Sequence, residues 1–379
     1  MRTWSFALVA MVLAGCGEKT LGPVAPSKGW RSAGLEAPGR GMGDEQWEKL
    51  TVAGERLLAM NSLGGMFVSA AYSGGWTKIP WTEQGTPYEF TALRDTLWVG
   101  TEKPGRLYAA RIGEWQWKPV PLGISDSFTV YGLHAFRNEL VVMAAKYLER
   151  HFFLRSAQGW TSWDSGYPMA SSARMLDVGD TLWSATWESG LWYRVWGEPS
   201  WKKLPDPRRT GGLTTKQSFP RGLAWQDGSL WIGDYGNEMT RAPNGHAPFQ
   251  AYRNCFDGVD NGVGCKEIPL DIFTVLSHRG RLFVSGHFPA SGFVWDDSSG
   301  FFLPMAEGWC WNDLADCGGL KTRDLVGLGD TLYAAGSRFI MKFPLSDLPV
   351  FTKENAAAWK WNLDPRWRDS LWALPNPAP

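Results

Sequence analysis

One five-residue phrase stands, almost unchanged, at three distant places: Arg94-Asp95-Thr96-Leu97-Trp98, Gly179-Asp180-Thr181-Leu182-Trp183 and Gly329-Asp330-Thr331-Leu332-Tyr333. Aligned on its leucine, the chain offers Leu57, Leu97, Leu140, Leu182, Leu230, Leu282 and Leu332, at successive gaps of 40, 43, 42, 48, 52 and 50 residues. Self-similarity at that period is the mark of a small sheet repeated radially, one four-stranded unit per repeat. The unit reads strand by strand. Met175-Leu176-Asp177-Val178 is a first strand, Gly179-Asp180 a tight turn, and Thr181-Leu182-Trp183-Ser184-Ala185 a second strand. Gly190-Leu191-Trp192-Tyr193-Arg194 is a third, and Trp201-Lys202-Lys203-Leu204, stopped by Pro205, a fourth. Asp, Asn and Gly at the turns tolerate the left-handed backbone that tight hairpins need. The leucine and the aromatic after it point to opposite faces of a strand. Both faces of a stacked blade meet neighbouring blades, so both can be apolar.

The expectation is therefore an all-β chain, a seven-bladed β-propeller of four-stranded blades over residues 44–345. Composition agrees, because 44 Gly and 24 Pro suit many turns and 24 Trp suit strands. The fragments Leu97-Trp98-Val99-Gly100-Thr101 and Leu230-Trp231-Ile232-Gly233 resemble the LWIGT repeats of bacterial propellers in sensory and surface proteins, the two-component-regulator propellers being the nearest group. That resemblance concerns a structural signature, so it implies no catalytic residue. The chain departs from the group in showing no downstream membrane helix or kinase, and signalling by that route is not implied.

The last repeat lacks a fourth strand. Trp47-Glu48-Lys49-Leu50 matches the outer-strand segments Trp201-Lys202-Lys203-Leu204 and Trp76-Thr77-Lys78-Ile79. Residues 46–50 are thus expected to supply the outer strand of the last blade, so that an N-terminal segment closes the ring and leaves no open edge. The alternative closes it with Trp359-Lys360-Trp361 or Ser370-Leu371-Trp372. Residues 346–379 are otherwise a C-terminal extension, with a short helix over 353–361.

At the other end, Arg2 precedes an apolar run to Leu13 and small residues before Cys16, the pattern of a secretion signal over residues 1–15. Leu13-Ala14-Gly15-Cys16 resembles the lipobox of bacterial lipoproteins. The resemblance implies cleavage before Cys16, acylation of its thiol and amino group, and membrane attachment through the lipid. Gly17 in place of Asp leans, within that family, toward the outer membrane. Residues 16–43, rich in Gly, Pro, Ser and Lys, read as a tether. The expected address is the bacterial cell envelope.

In a four-stranded meander the links between strands one and two, and three and four, lie at one end of the ring. The links between strands two and three, and between blades, lie at the other. The later repeats lengthen at 205–221, 253–272 and 305–323, all between blades, so the added segments share one face, and gathered insertions often mark a binding face. Two of them carry Cys255, Cys265, Cys310 and Cys317. In an oxidising compartment four cysteines imply disulfides; three pairings are open, and the local one, 255 with 265 and 310 with 317, is the simplest. Asp257-Gly258-Val259-Asp260-Asn261-Gly262 has the outline of a calcium loop, but Val259 stands where a ligand oxygen is needed. No metal and no cofactor is expected.

Charge excludes one class of partner: 38 basic against 38 acidic residues give no footprint for nucleic acid. The histidines, His134, His151, His246, His278 and His287, form no close ligand pair, and no nucleophile elbow or phosphate loop is present. Trp98, Trp183 and Trp231 sit on repeated strand positions and are expected in the core, with Trp76, Trp117, Trp160 and Trp201 on outer strands. The aromatics outside the repeat pattern are the candidate ligand-binding residues: Trp187, Tyr235 and His287 in links between strands two and three, and Trp309 and Trp311 beside Cys310. Arg208 and Arg209 add charge on the same side. Aromatic faces stack on sugars or anchor a protein. The favoured function is a monomeric, lipid-anchored binding module for a glycan or protein. A carbohydrate-active enzyme with carboxylates in the central pocket, glycosidase or lyase, is the alternative, and an outer-membrane assembly scaffold a third reading.

Overall fold

The computed structural model describes residues 30–36, 46–69, 75–147, 149–168, 170, 172–186, 189–205, 220–234, 238–246, 249–253, 271–287, 293–296, 301–304, 322–336 and 339–348. They form seven four-stranded sheets with antiparallel pairing. β1 (Arg31–Glu36) waits for the end of the chain. The first sheet is β2 (Trp47–Ala53), β3 (Arg56–Asn61), β4 (Met66–Ser69) and β5 (Trp76–Lys78). The second is β6 (Thr86–Leu93), β7 (Thr96–Glu102), β8 (Leu107–Arg111) and β9 (Lys118–Val120). The third is β10 (Thr129–Phe136), β11 (Glu139–Lys146), β12 (Glu149–Ser156) and β13 (Gly159–Ser162). The fourth is β14 (Ser172–Val178), β15 (Thr181–Thr186), β16 (Gly190–Val195) and β17 (Lys202–Lys203). The fifth is β18 (Pro220–Gln226), β19 (Ser229–Asp234), β20 (Glu238–Pro243) and β21 (Gln250–Arg253). The sixth is β22 (Asp271–His278), β23 (Arg281–His287), β24 (Phe293–Asp296) and β25 (Phe301–Pro304). The seventh is β26 (Asp324–Leu328), β27 (Thr331–Ala335) and β28 (Phe339–Pro344), with β1 paired to β28 on the outside. The first strands meet around a centre: β2 touches β6 and β26, β6 touches β10, β10 touches β14, β14 touches β18, and β22 touches β18 and β26. The molecule is a β-propeller of four-stranded blades.

The repeated leucine explains itself in this frame. Each of the seven is on the second strand and no more than 1% exposed. In every sheet it faces the last residue but one of the first strand: Val52, Ala92, Ala135, Asp177, Trp225, Ser277 and Gly327. The apolar clusters lie between sheets, not within them. Leu58, Met60 and Met66 of the first sheet pack with Phe90, Leu97 and Val99 of the second. Trp47, Leu50 and Leu57 pack with Ala33, Leu35, Leu328 and Ile340 of the seventh. Full burial of such a side chain stabilises by about 1.5–3 kcal/mol. Trp98, Trp183 and Trp231 are buried as expected, and so is Trp201, while Trp76, Trp117 and Trp160 are partly buried against the same clusters.

The rest of the leucine motif is also packing. A Cβ on Gly100 would stand 2.4 Å from Val130 Cγ1, and one on Gly233 2.4 Å from Ile272 Cγ2, so glycine is what lets the next sheet's first strand come in. The Thr101 hydroxyl donates to Pro104 O at 2.5 Å and accepts the Arg106 N–H at 2.9 Å, which ties off the loop after β7. The tight turns carry the left-handed backbone expected of them, with φ of 50° and 63° at Arg137 and Asn138 and 48° and 69° at Asp227 and Gly228.

Two expectations are corrected. The closing outer strand is β1, residues 31–36, and residues 46–50 belong instead to β2, the first strand of the first sheet. A register shift between Trp47 and Lys49 turns Trp47 and Leu50 into the same cluster, so β2 shares with Trp201 to Leu204 the three-residue spacing of its buried Trp and Leu, although Glu48 and Lys49 between them are partly buried where Lys202 and Lys203 are exposed. The tether expected over 16–43 therefore contains a strand: Trp30, Ala33 and Leu35 are buried. A register shift between Ser32 and Leu35, with Gly34 at φ 81°, breaks the alternation that marks a strand in sequence. The C-terminal closures and the helix over 353–361 lie outside the described residues.

Candidate functional site at the channel mouth

Each first strand begins at the rim that carries the inter-blade links and the links between strands two and three, here the link rim. The tight turns between strands one and two mark the opposite, hairpin rim. Six first strands shift register at the same place, between Trp47 and Lys49, Pro87 and Glu89, Val130 and Gly132, Ser172 and Arg174, Pro220 and Gly222, and Ile272 and Thr274. The extra residues are Glu48, Tyr88, Tyr131, Ala173, Arg221 and Phe273, each nine positions before its motif leucine; Arg323 holds that position before β26. A bulge re-aims the side chain it carries. This column lies at the channel mouth on the link rim, where Arg221 and Arg323 meet Phe273 and Arg323 meets Glu48, and the next residues, Lys49, Glu89, Gly132, Arg174, Gly222, Thr274 and Asp324, make a tier below.

The lower tier closes on itself. Lys49 pairs with Glu89 of the neighbouring sheet. Arg174 reaches from the fourth sheet to the sixth and seventh, donating to Thr274 Oγ1 at 3.0 Å and to Asp324 Oδ1. Asp324 is 2% exposed and also accepts the Leu50 N–H at 2.9 Å and the Leu325 N–H at 3.0 Å. Burial pushes the Lys49 ammonium down to about 7; Asp324 pulls it up and Arg174 adds to the fall.

The mouth tier is mixed in character. The guanidinium carbons of Arg221 and Arg323 lie over the Phe273 ring, 4.2 and 6.0 Å from its centroid. Arg323 Nη1 stands 3.4 Å from Glu48 Oε2, and its Nη2 donates to Gln46 Oε1 at 3.1 Å. Burial raises the Glu48 carboxyl above the usual range, with Arg323 working against it. Tyr88 is 50% exposed; partial burial, then Glu102 and Glu48, raise its phenol. Tyr131 instead packs against the cluster between the third and fourth sheets, where burial pushes its hydroxyl up to about 12.

Among the described residues, the exposed large hydrophobic side chains are Leu63 at 68%, Tyr88 at 50% and Tyr147 at 89%. Leu63 follows β3 and Tyr147 follows β11, both in links between strands two and three, so all three stand on the link rim. The hairpin rim is different in kind. It carries ion pairs between successive turns, Arg137 with Asp180 and Arg279 with Asp330 at 3.3 Å, and beside the first of them a hydrogen bond between His134 Nε2 and Asp177 Oδ1 at 2.9 Å.

Of the residues singled out in the sequence, His287 is the last residue of β23, at the link rim. Trp187, Tyr235, Trp309, Trp311, Arg208 and Arg209 lie outside the described residues, as do Cys16, Cys255, Cys265, Cys310, Cys317 and the segment 257–262. The strands flanking 205–221, 253–272 and 305–323 open these segments onto the link rim. The channel-mouth residues were not singled out, although the signal was present: the column nine places before the leucine. Among the described residues no cluster of His, Cys, Asp and Glu is arranged to hold a metal, and no helix is long and apolar enough to cross a membrane.

These features define a propeller with a polar, partly aromatic mouth on its link rim. The extracellular domain of the putative one component system BT4673 from B. thetaiotaomicron is similar, with TM-score 0.60 and 12% identity over 83% of this chain and 39% of that one. This chain therefore spans well under half the length of that domain. YCF48 bound to D1 peptide gives TM-score 0.62 and 10% identity over 87% of this chain and 99% of that one. A chain of the mitotic checkpoint complex gives 0.58 and 14% over 91% and 99%. At such identities the likeness is one of fold. No protein-family model matches the chain, and no curated protein matches its sequence.

Proposed function

We propose that this chain is a lipid-anchored binding module of the bacterial envelope, a seven-bladed propeller held at the outer membrane through Cys16, that presents its link rim to a partner protein. The observation that carries the reading is the placement of exposed apolar side chains: Leu63, Tyr88 and Tyr147 all stand on the link rim. Exposed aromatics beside polar groups are what protein partners use as anchors. The likeness to YCF48, which is seen bound to a peptide, is consistent with this use of the fold. The lipobox-like Leu13-Ala14-Gly15-Cys16 supports the anchor, and Cys255, Cys265, Cys310 and Cys317 are proposed to pin the two link segments as disulfides.

Three carboxylates, Glu48, Glu89 and Asp324, do converge on the channel, as a glycosidase or lyase would need. Each already faces a cation, Arg323, Lys49 or Arg174 respectively. Binding is the reading the channel favours.

The test is photo-crosslinking in living cells, with the crosslinker placed at Leu63, at Tyr147 and, as a control on the hairpin rim, at Glu114. Discrete adducts at the first two positions and none at the third are expected. Equal labelling at both rims, or none at the link rim, overturns the reading. Metabolic labelling with palmitate checks the anchor: Cys16→Ala is expected to lose the label and leave the membrane fraction.

A further inference from the structure

We propose that His151 is a proton-operated clasp on the link rim: on taking up a second ring proton it fastens the tip that carries Tyr147 to the link that follows β13. The proposal rests on the binding-module reading above and specifies how one of its exposed side chains is regulated.

One side of the clasp is a fixed post. Asp164 follows Trp163, which is buried in the cluster with Trp201. The Trp163 carbonyl accepts from Arg194 Nη1 at 2.7 Å and from Trp201 Nε1 at 2.8 Å, and the Trp163 N–H donates to Phe152 O at 2.7 Å. The Ser162 hydroxyl donates to Asp164 Oδ1 at 2.5 Å, while Oδ2 faces His151. The other side is the tip. Tyr147 is exposed and stands at φ 53°, a left-handed backbone that an aromatic residue rarely adopts. It lies in the two-residue connection between Lys146 and Glu149, the pair that closes the hairpin of β11 and β12. The Arg150 guanidinium donates to the carbonyls of Tyr147 and Glu149.

His151 joins the two sides. Its Nε2 is 3.0 Å from Glu149 Oε1, and its Nδ1 is 3.5 Å from Asp164 Oδ2. A carboxylate only accepts, so the shorter contact places the proton of a neutral imidazole on Nε2. Nδ1 then turns a lone pair toward Asp164, and the ring holds the tip alone. A proton on Nδ1 replaces that repulsion by a charge-assisted bond, and the imidazolium bridges both carboxylates. Nothing else around the ring competes for it. The Phe128 and Phe153 rings lie 5.3 and 5.8 Å away, its neighbour on β11 is Ala144, and Arg150 points to the opposite face of the strand. Asp126, two residues before Phe128, is bound to Arg106 Nη2 at 2.7 Å. Glu149 from its own strand and Asp164 from the link are therefore the charged groups that face His151.

Hydrogen exchange on the purified chain, with no partner present, reads the clasp. The Tyr147 and Glu149 amides would be followed at about pH 5.5 and about pH 8, on either side of the range where imidazoles ordinarily titrate, and corrected for the intrinsic pH dependence of exchange. Protection of the tip should be about two- to fivefold greater at the lower pH, the scale of an exposed ion pair. His151→Gln and Asp164→Asn should each abolish the difference, whereas His134→Gln on the hairpin rim should keep it. Thermal melts establish that each variant is folded, and Asp164→Asn keeps the ring in place should the glutamine variant not fold. Equal protection at the two pH values in the native chain, or a response that survives in His151→Gln, overturns the proposal and leaves the binding module standing. An absence of crosslinked adducts at Tyr147 would instead sink the module, and the exchange result would still decide the clasp.

Discussion

At the residue scale, the bulge column does two jobs with one backbone irregularity. Trp47, Val130 and Ile272, each just before a bulge, fill the interface with the preceding sheet, and the bulged Glu48, Arg221 and Phe273 lie at the channel mouth around Arg323. Gly233 shows how tight the first job is. Gly233→Val would push into Ile272 Cγ2, already 2.4 Å from a single added Cβ. Overpacking of this kind costs about 1–3 kcal/mol. The urea midpoint should fall accordingly, and Ile272→Ala in the same chain should recover part of the loss. Lys49, the residue after the first bulge, belongs to the tier below the mouth, paired with Glu89. Folding lowers its pKa from 10.5 to about 7, so between those values the unfolded chain holds a proton that the folded chain has released. Stability contributed at this site then rises as pH climbs from about 7 toward 10.5, and is flat below, where both states are protonated. Thermal melts across that window should show a positive slope that flattens in Lys49→Met.

At the element scale, the strand that closes the ring is the one with the weakest strand pattern. β1 is only six residues long and contains Gly34 and a register shift. What holds it is its surroundings: Trp30 joins the cluster with Phe283 and Phe343, while Ala33 and Leu35 join the one with Trp47. Removing residues 1–36 should expose the β28 edge and open both clusters, whereas removing residues 1–28 should not. Each large buried side chain lost is worth about 2–5 kcal/mol, comparable in sum to a typical domain stability of about 5–15 kcal/mol. The longer deletion should therefore lose its cooperative unfolding transition and self-associate on a sizing column, as unpaired edges do. Equal melting of the two deletions would contradict this account. The other elements were legible beforehand because turn chemistry and the Leu-aromatic pair repeat; β1 and β2 were exchanged because a bulge alters the alternation from which strands are read.

At the scale of the molecule, the Arg174–Asp324 contact joins the fourth sheet to the seventh across the channel, tying together strands 150 residues apart in sequence. Breaking one side of a buried pair leaves an uncompensated charge and costs about 3–5 kcal/mol. Arg174→Met should show that loss in urea unfolding. The double variant Arg174→Met/Asp324→Asn should be clearly more stable than the sum of the two single losses, and additivity would mean that the pair does not couple the sheets.

The sequence by itself determined the repeat unit, its turns, the burial of seven leucines and the rim at which the strands flanking the long links end, because each depends on spacing within one hairpin or one meander. Only the tertiary structure decided which N-terminal segment closes the ring and which side chains meet at the channel. Glu48, Arg221, Phe273 and Arg323 share a column of the repeat but nothing local in common, and their chemistry exists only once the seven hairpins are brought round to face one axis.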